Sequence, residues 1–236
     1  EEINKAPALD LDGFFQLHAG LAGLKPLWQA GELGFVHATS TPYRDKRSHF
    51  DGQDMLEAGT GMDVPLASVR DGWLNRLLQA VPGVTAETAY AVGRDEMRIL
   101  AGAAPTRSWA PDQKLMLTAQ GRLLLDHVAH DDEVFRIAVD EALDLTEKQP
   151  PTPETGNEID GLVDFTAEKL RGASRIASFS LTGWDTHKAQ EKALRRPLER
   201  LSRVVARMKD QLGPEIWGKT ALLAMTEFGR TLRQNG

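Results

Sequence analysis

The chain has 236 residues, 41% hydrophobic and 26% charged, which is ordinary for a globular protein and enough for one sizeable α/β domain. A net charge of −6 argues against tracking nucleic-acid phosphates as the main task. The absence of cysteine excludes disulfides, thiolate metal sites and cysteine nucleophiles, and no apolar run approaches the roughly 20 residues of a membrane helix. The chain opens on Glu1-Glu2-Ile3 without an initiator methionine or a signal peptide, which suggests a processed or trimmed product.

Taken in order, residues 1–13 read as a polar entry segment. Leu17, Leu21, Leu24 and Leu27 recur at helical spacing and predict an apolar face ending near Gly31. Leu33 to Ala38 is a short buried-strand candidate, and Thr39 to Arg47 a charged loop. Ser48 followed by Asp51 resembles a capping box and predicts a helix over 48–57. Glycines and a proline mark 59–71 as a loop, Gly72 to Leu78 as a short helix, and Thr88 to Val92 as a strand. Residues 111–148 carry helical patterns with a break near His130-Asp131-Asp132, and Pro150, Pro151 and Pro153 form a stiff connector.

The last third is the most regular. It predicts a helix over 157–171, a strand over 175–181, a long helix through Leu194, Leu198, Leu201, Val204, Val205, Met208 and Leu212, and an apolar strand over 220–225. Strand, crossover helix, strand implies a parallel sheet with helices on both faces.

In such a sheet, sites lie beyond the carboxyl ends of the strands. The candidate strands lead to Ser48, to Asp185 and His187, and to Glu227, so three segments deliver a hydroxyl, a carboxylate–imidazole pair and a carboxylate to one edge. Ser48 has two open readings: a helix cap, or a nucleophile favoured by the helix N-terminus, with Arg44, Lys46 and Arg47 steering an anionic ester. Asp185 and His187, two apart in an extended backbone, can share a divalent ion or simply begin the next helix. Glu227 is either a ligand or the ion-pair partner of Arg230. His49 is a candidate base or ligand beside Ser48. An esterase triad of Ser48, His49 and a carboxylate is the weaker idea, because no Gly-x-Ser-x-Gly elbow surrounds Ser48. His37 reads as a strand-end group, either satisfied in the core or supporting a site residue, and His18, His127 and His130 as structural. The basic side of the 188–212 helix reads as a solvated face with helix salt bridges.

Several stretches together resemble the bacterial family called domain of unknown function 1501. They are Leu17-His18-Ala19-Gly20-Leu21, Leu24-Lys25-Pro26-Leu27, Val36-His37-Ala38, Arg47 to Asp54, Gly72-Trp73-Leu74, Gly183-Trp184-Asp185-Thr186-His187 and Thr226-Glu227-Phe228-Gly229-Arg230-Thr231. The resemblance implies kinship with the alkaline phosphatase and sulfatase superfamily. The expected architecture is then one α/β domain over 1–236, a parallel-sheet three-layer α/β/α fold with a helical insertion around 95–150.

The same resemblance implies a periplasmic or secreted protein, often exported by a twin-arginine signal. The implied activity is hydrolysis of phosphate or sulfate esters at two divalent ions, zinc or manganese. Ser48 would be the nucleophile, Asp185, His187 and Glu227 metal ligands, and Arg44, Lys46, Arg47, His49 and Arg230 substrate-binding groups. Family members usually carry an earlier strand ending in a metal-binding aspartate and a later Asp-His-Gly, so the domain is expected to be incomplete at both ends. The alternative is a non-catalytic exported binding or assembly protein on the same scaffold.

Overall fold

The computed structural model describes residues 8–44, 48–61, 71–94, 97–110 and 158–229. The helical patterns read over 111–148, the proline connector, most of the 95–150 insertion, His127 and His130 lie outside the described residues.

A parallel three-stranded sheet organises the centre, in the order β4 (Arg107–Trp109), β3 (Ala89–Val92), β5 (Ile176–Ser178). Its registers pair Tyr90 with Arg107 and with Ala177. Alternation along β3 sends residues to opposite faces. Ala89 and Ala91 pack with Leu78, Met97, Ile99, Leu100 and Ile176, under helix α3 (Trp73–Ala80). Tyr90 and Val92 pack with Leu162 and Phe165 of helix α4 (Glu158–Arg171). The chain is therefore mixed α/β with a parallel three-stranded sheet, the coarse class that the sequence implied.

Helix α3 is set by its first residues. Gly72 passes so close to the 98–99 backbone that a Cβ there would lie 2.2 Å from the carbonyl oxygens of both Arg98 and Ile99. One turn on, Asn75 is fully buried, and its amide donates to the carbonyls of Leu100 (2.8 Å) and Ala104 (3.0 Å). The Gly72-Trp73-Leu74 stretch thus does scaffold work.

The leucines of the opening stretch are all buried, in a cluster with Val205. They lie on β2 (Gln16–Leu17), a 3₁₀ turn (Ala19–Leu24) and helix α1 (Lys25–Gln29) rather than on one helix. The His18 ring caps the turn by accepting the Gly20 N–H at 3.0 Å. Upstream, the expected entry segment contains β1 (Leu9–Asp10), which forms an antiparallel hairpin with β2.

After helix α2 (His49–Ala58) and a short helix α5 (Gln190–Ala193) comes the long helix α6 (Arg195–Trp217), interrupted at Gly213, whose φ is +68°. Val204, Met208 and Leu212 of α6 meet Val163 and Ala167 of α4 in a third cluster. Its basic side is largely paired: Arg195 with Glu199 (2.7 Å), Arg203 with Asp160, Arg207 with Asp164 (2.6 Å) and Lys209 with Glu32 (2.7 Å). Among the described residues no helix is long and apolar enough to cross a membrane.

Two expected strands differ. Among the described residues Leu33 to Ala38 and Thr220 to Met225 join no ladder, and they are largely exposed, Val36 at 82% and Leu223 at 68%. An apolar run needs burial, but a strand also needs a neighbour to hydrogen-bond, and no described segment supplies one.

Candidate functional site

Ser48 sits at the N-terminus of α2 in extended conformation, and its Oγ accepts the Asp51 N–H at 3.3 Å. This is the capping geometry that Ser-x-x-Asp implied. Sequence reasoning missed Tyr43. The Tyr43 hydroxyl accepts the Ser48 N–H (3.2 Å) and donates to Asp51 Oδ2 (3.3 Å), closing a ring of three side chains over the helix start. An aromatic five residues before a capping serine was the available signal.

Arg44 is tied to its own loop. One terminal nitrogen donates to the carbonyls of Thr41 (2.7 Å) and Tyr43 (2.6 Å), and the other to Ser40 Oγ at 3.2 Å. Lys46, Arg47 and Arg230 lie outside the described residues.

Glu227 reaches the first turns of α2 from the far end of the sequence. Its side chain rests against the bare face of Gly52, where an added Cβ would stand 3.5 Å from the Glu227 Cβ. Its Oε1 lies 3.6 Å from His49 Nδ1. That separation is too long for a hydrogen bond, and among the described residues the buried Nδ1 has no hydrogen-bond partner. The His49 ring is held by Phe50 (centroids 4.0 Å apart) and Phe228 (5.3 Å). A tertiary contact between segments so distant in sequence leaves no local signature.

Asp185 and His187 come together as their spacing suggested, but with each other: His187 Nε2 lies 2.9 Å from Asp185 Oδ1. The pair is on an exposed loop. Arg200 of α6 steadies that loop by donating to the Thr182 carbonyl at 3.0 Å, and Gly183 turns it with φ +96°. Only a residue without a Cβ takes that turn freely. His37, one of whose expected places was the core, is exposed and stacks on Phe15 at 4.9 Å.

The donors therefore fall into two pairs, His49 with Glu227 and Asp185 with His187. Among the described residues no three His, Asp or Glu side chains gather closely enough to hold a metal ion. Imidazole nitrogen with carboxylate oxygen is a donor set that suits zinc or manganese. Two donors about 2 Å from a tetrahedral ion stand roughly 3.4 Å apart, close to the His49–Glu227 spacing. The donor chemistry fits such ions, and each pair supplies about half of a coordination shell.

No curated protein and no solved structure matches the chain. The family described as protein of unknown function (DUF1501) matches residues 38–236, a span that holds Ser48, both donor pairs and the sheet, and the chain belongs to that family.

Proposed function

We propose that this protein is an exported, periplasmic or secreted, metal-dependent hydrolase of phosphate or sulfate esters on an alkaline-phosphatase-like scaffold. The observation that carries the reading is the meeting of Glu227 with the helix start that Ser48 caps. A carboxylate from far along the sequence meets an imidazole in the first turn of the helix whose N-terminus Ser48 caps.

In this reading His49 and Glu227 hold one divalent ion and Asp185 and His187 a second, with further ligands from outside the described residues. Such ions, when bound, supply Lewis-acid polarisation of the ester and lower the pKa of a nearby hydroxyl. Ser48 is the nucleophile. Among the described residues its Oγ accepts one N–H, that of Asp51, which leaves one lone pair to attack phosphorus or sulfur and the O–H to be given up. The α2 N-terminus favours the anionic group. Arg44 is pinned by its loop carbonyls and keeps two of its five N–H groups for the ester oxygens. Lys46, Arg47 and Arg230 are placed by sequence alone in the same charge-neutralising role.

A second reading, a non-catalytic exported binding or assembly protein, is favoured by the use of Ser48 as a cap and the mutual pairing of Asp185 with His187. Ser48→Asn separates the two, because asparagine caps a helix as well as serine and carries no nucleophile. With p-nitrophenyl phosphate and sulfate as substrates, and zinc or manganese supplied, the hydrolase reading expects Ser48→Asn to be folded and inactive. Turnover retained by that variant removes Ser48 as nucleophile. Metal analysis of Asp185→Ala with His187→Ala, expected to lose one ion per chain, tests the second pair.

A further inference from the structure

Asp51 does not itself close the return arm of the Ser48 cap. In a capping box the capping side chain bonds the N–H of the third helical residue, whose own side chain accepts the capping residue's N–H. The first half is present, with the Asp51 N–H on Ser48 Oγ at 3.3 Å. In the second half the Tyr43 hydroxyl stands between the partners. It accepts the Ser48 N–H at 3.2 Å and donates to Asp51 Oδ2 at 3.3 Å. Both contacts are long for their kind, as befits a spacer rather than a clamp.

The loop holds the phenol there from the other side. The Tyr43 carbonyl accepts from an Arg44 terminal nitrogen at 2.6 Å, and that nitrogen also reaches the Thr41 carbonyl at 2.7 Å. The Tyr43 N–H donates to Thr41 Oγ1 at 3.4 Å. Ser48 and Asp51 stand one helical turn apart, the spacing of a direct box. Without the phenol oxygen, side-chain rotation alone brings the carboxylate onto the Ser48 N–H. A negative charge then sits on the backbone of Ser48, at the helix end that otherwise favours an anion.

Given Ser48 as the nucleophile of the proposed hydrolase, on which this step rests, we propose that Tyr43 is a positioning residue. Its hydroxyl holds the Asp51 carboxylate off the Ser48 N–H and so keeps the α2 N-terminus open to the anionic ester. Tyr43 acts through Asp51 and touches no reacting atom.

The test uses the whole chain with manganese supplied, p-nitrophenyl phosphate for turnover and inorganic phosphate for binding by calorimetry. Tyr43→Phe keeps the ring and removes the hydroxyl. It is expected to weaken phosphate binding and raise KM by about tenfold at low salt, with kcat changed less. That loss is expected to shrink as added salt screens the carboxylate. Asp51→Asn in the same background keeps the side-chain shape without the charge and is expected to restore the wild-type values. A purely structural role for Tyr43 gives the reverse, a deficit that salt does not relieve and the second substitution deepens. Asp51→Glu, with Tyr43 intact, carries the longer arm that closes a box directly and is expected to reproduce the loss. Three results overturn the proposal: unchanged phosphate binding and KM in Tyr43→Phe, a deficit that Asp51→Asn fails to restore, or normal binding by Asp51→Glu. None of them displaces Ser48 as nucleophile, which the Ser48→Asn comparison decides separately. A wild-type chain that binds phosphate without turnover fails as a hydrolase, and the binding measurements alone then decide the role of Tyr43. A wild-type chain that does neither removes both.

Discussion

Asn75 offers the sharpest test of what holds the sheet's α3 face together. Its side-chain amide is fully buried and uses its whole capacity. Nδ2 donates to Leu100 (2.8 Å) and Ala104 (3.0 Å), and Oδ1 accepts from the Ala104 N–H (3.0 Å) and from Gln79 Nε2 (2.9 Å). Asn75→Ala strands two buried carbonyls and one buried N–H. At about 1–3 kcal/mol for each group left unsatisfied, with some relief from the carbonyls' second lone pairs, the loss should be about 3–5 kcal/mol. For a chain of this length that lowers the melting temperature by roughly 10 °C.

Asn75→Asp should be worse at neutral pH, because a carboxylate would face two carbonyl oxygens. Burial raises the pKa of such a carboxyl, so this variant should be most stable in acid and weaken as pH rises through the raised value. Urea unfolding followed by tryptophan fluorescence, with Trp73 adjacent, reads both effects. A loss below about 1 kcal/mol for Asn75→Ala, with an unchanged denaturant slope, would refute the argument that these groups are sealed from water.

Gly72→Ala drives a Cβ into two backbone carbonyls that cannot swing away, so it should cost at least about 4 kcal/mol, visible as loss of soluble folded protein. Tyr90 is pushed up to about 12, first by burial and then by its hydrogen bond to Glu87. The folded state holds this proton more tightly than the unfolded chain does, so the stability involved is complete below pH 10 and is lost between pH 10 and 12. Tyr90→Phe should therefore flatten that alkaline limb in urea titrations. Arg207 and Asp164 form a two-pronged pair (2.6 and 2.7 Å) on a half-exposed surface, so a double-mutant cycle should return only about 0.5–1 kcal/mol. His49→Phe keeps an aromatic ring between Phe50 and Phe228 and removes the nitrogen facing Glu227. It should leave stability within about 1 kcal/mol and abolish zinc binding at that pair, as read by calorimetry.

The apolar periodicities were the legible part of the fold. Leu17, Leu21, Leu24 and Leu27 are buried although only α1 is α-helical, because spacings of three and four return to one side in a 3₁₀ turn as well. Strand β4 was not legible: Arg107-Ser108-Trp109 shows no apolar alternation, as befits an edge strand held mainly by backbone bonds to β3. The converse error fell on 33–38 and 220–225, where apolar character was read as sheet membership. Hydrophobicity reports a demand for burial, whereas a ladder is a property of two segments at once. The site divides in the same way. The Ser48 cap and the Asp185–His187 pairing are local and could be read from spacing, while His49 with Glu227 is a tertiary contact whose only local trace is Gly52, bare where Glu227 lies.

The two donor pairs are not equivalent toward a cation. Asp185 and His187 already satisfy each other at 2.9 Å in an exposed loop, so an ion binding there must displace an existing hydrogen bond while competing with water. His49 Nδ1 and Glu227 Oε1 stand 3.6 Å apart without a hydrogen bond, the nitrogen is buried and unpartnered, and two phenylalanines fix the ring. A buried polar atom with no partner costs about 1–3 kcal/mol, and a bound cation or a donated proton recovers it. The α2 end therefore carries an unmet demand that the Asp185 loop does not, and it lies on the helix that Ser48 caps. In the two-ion reading, the first ion should therefore be held between His49 and Glu227 at a lower metal concentration than the one the exposed Asp185–His187 pair would take.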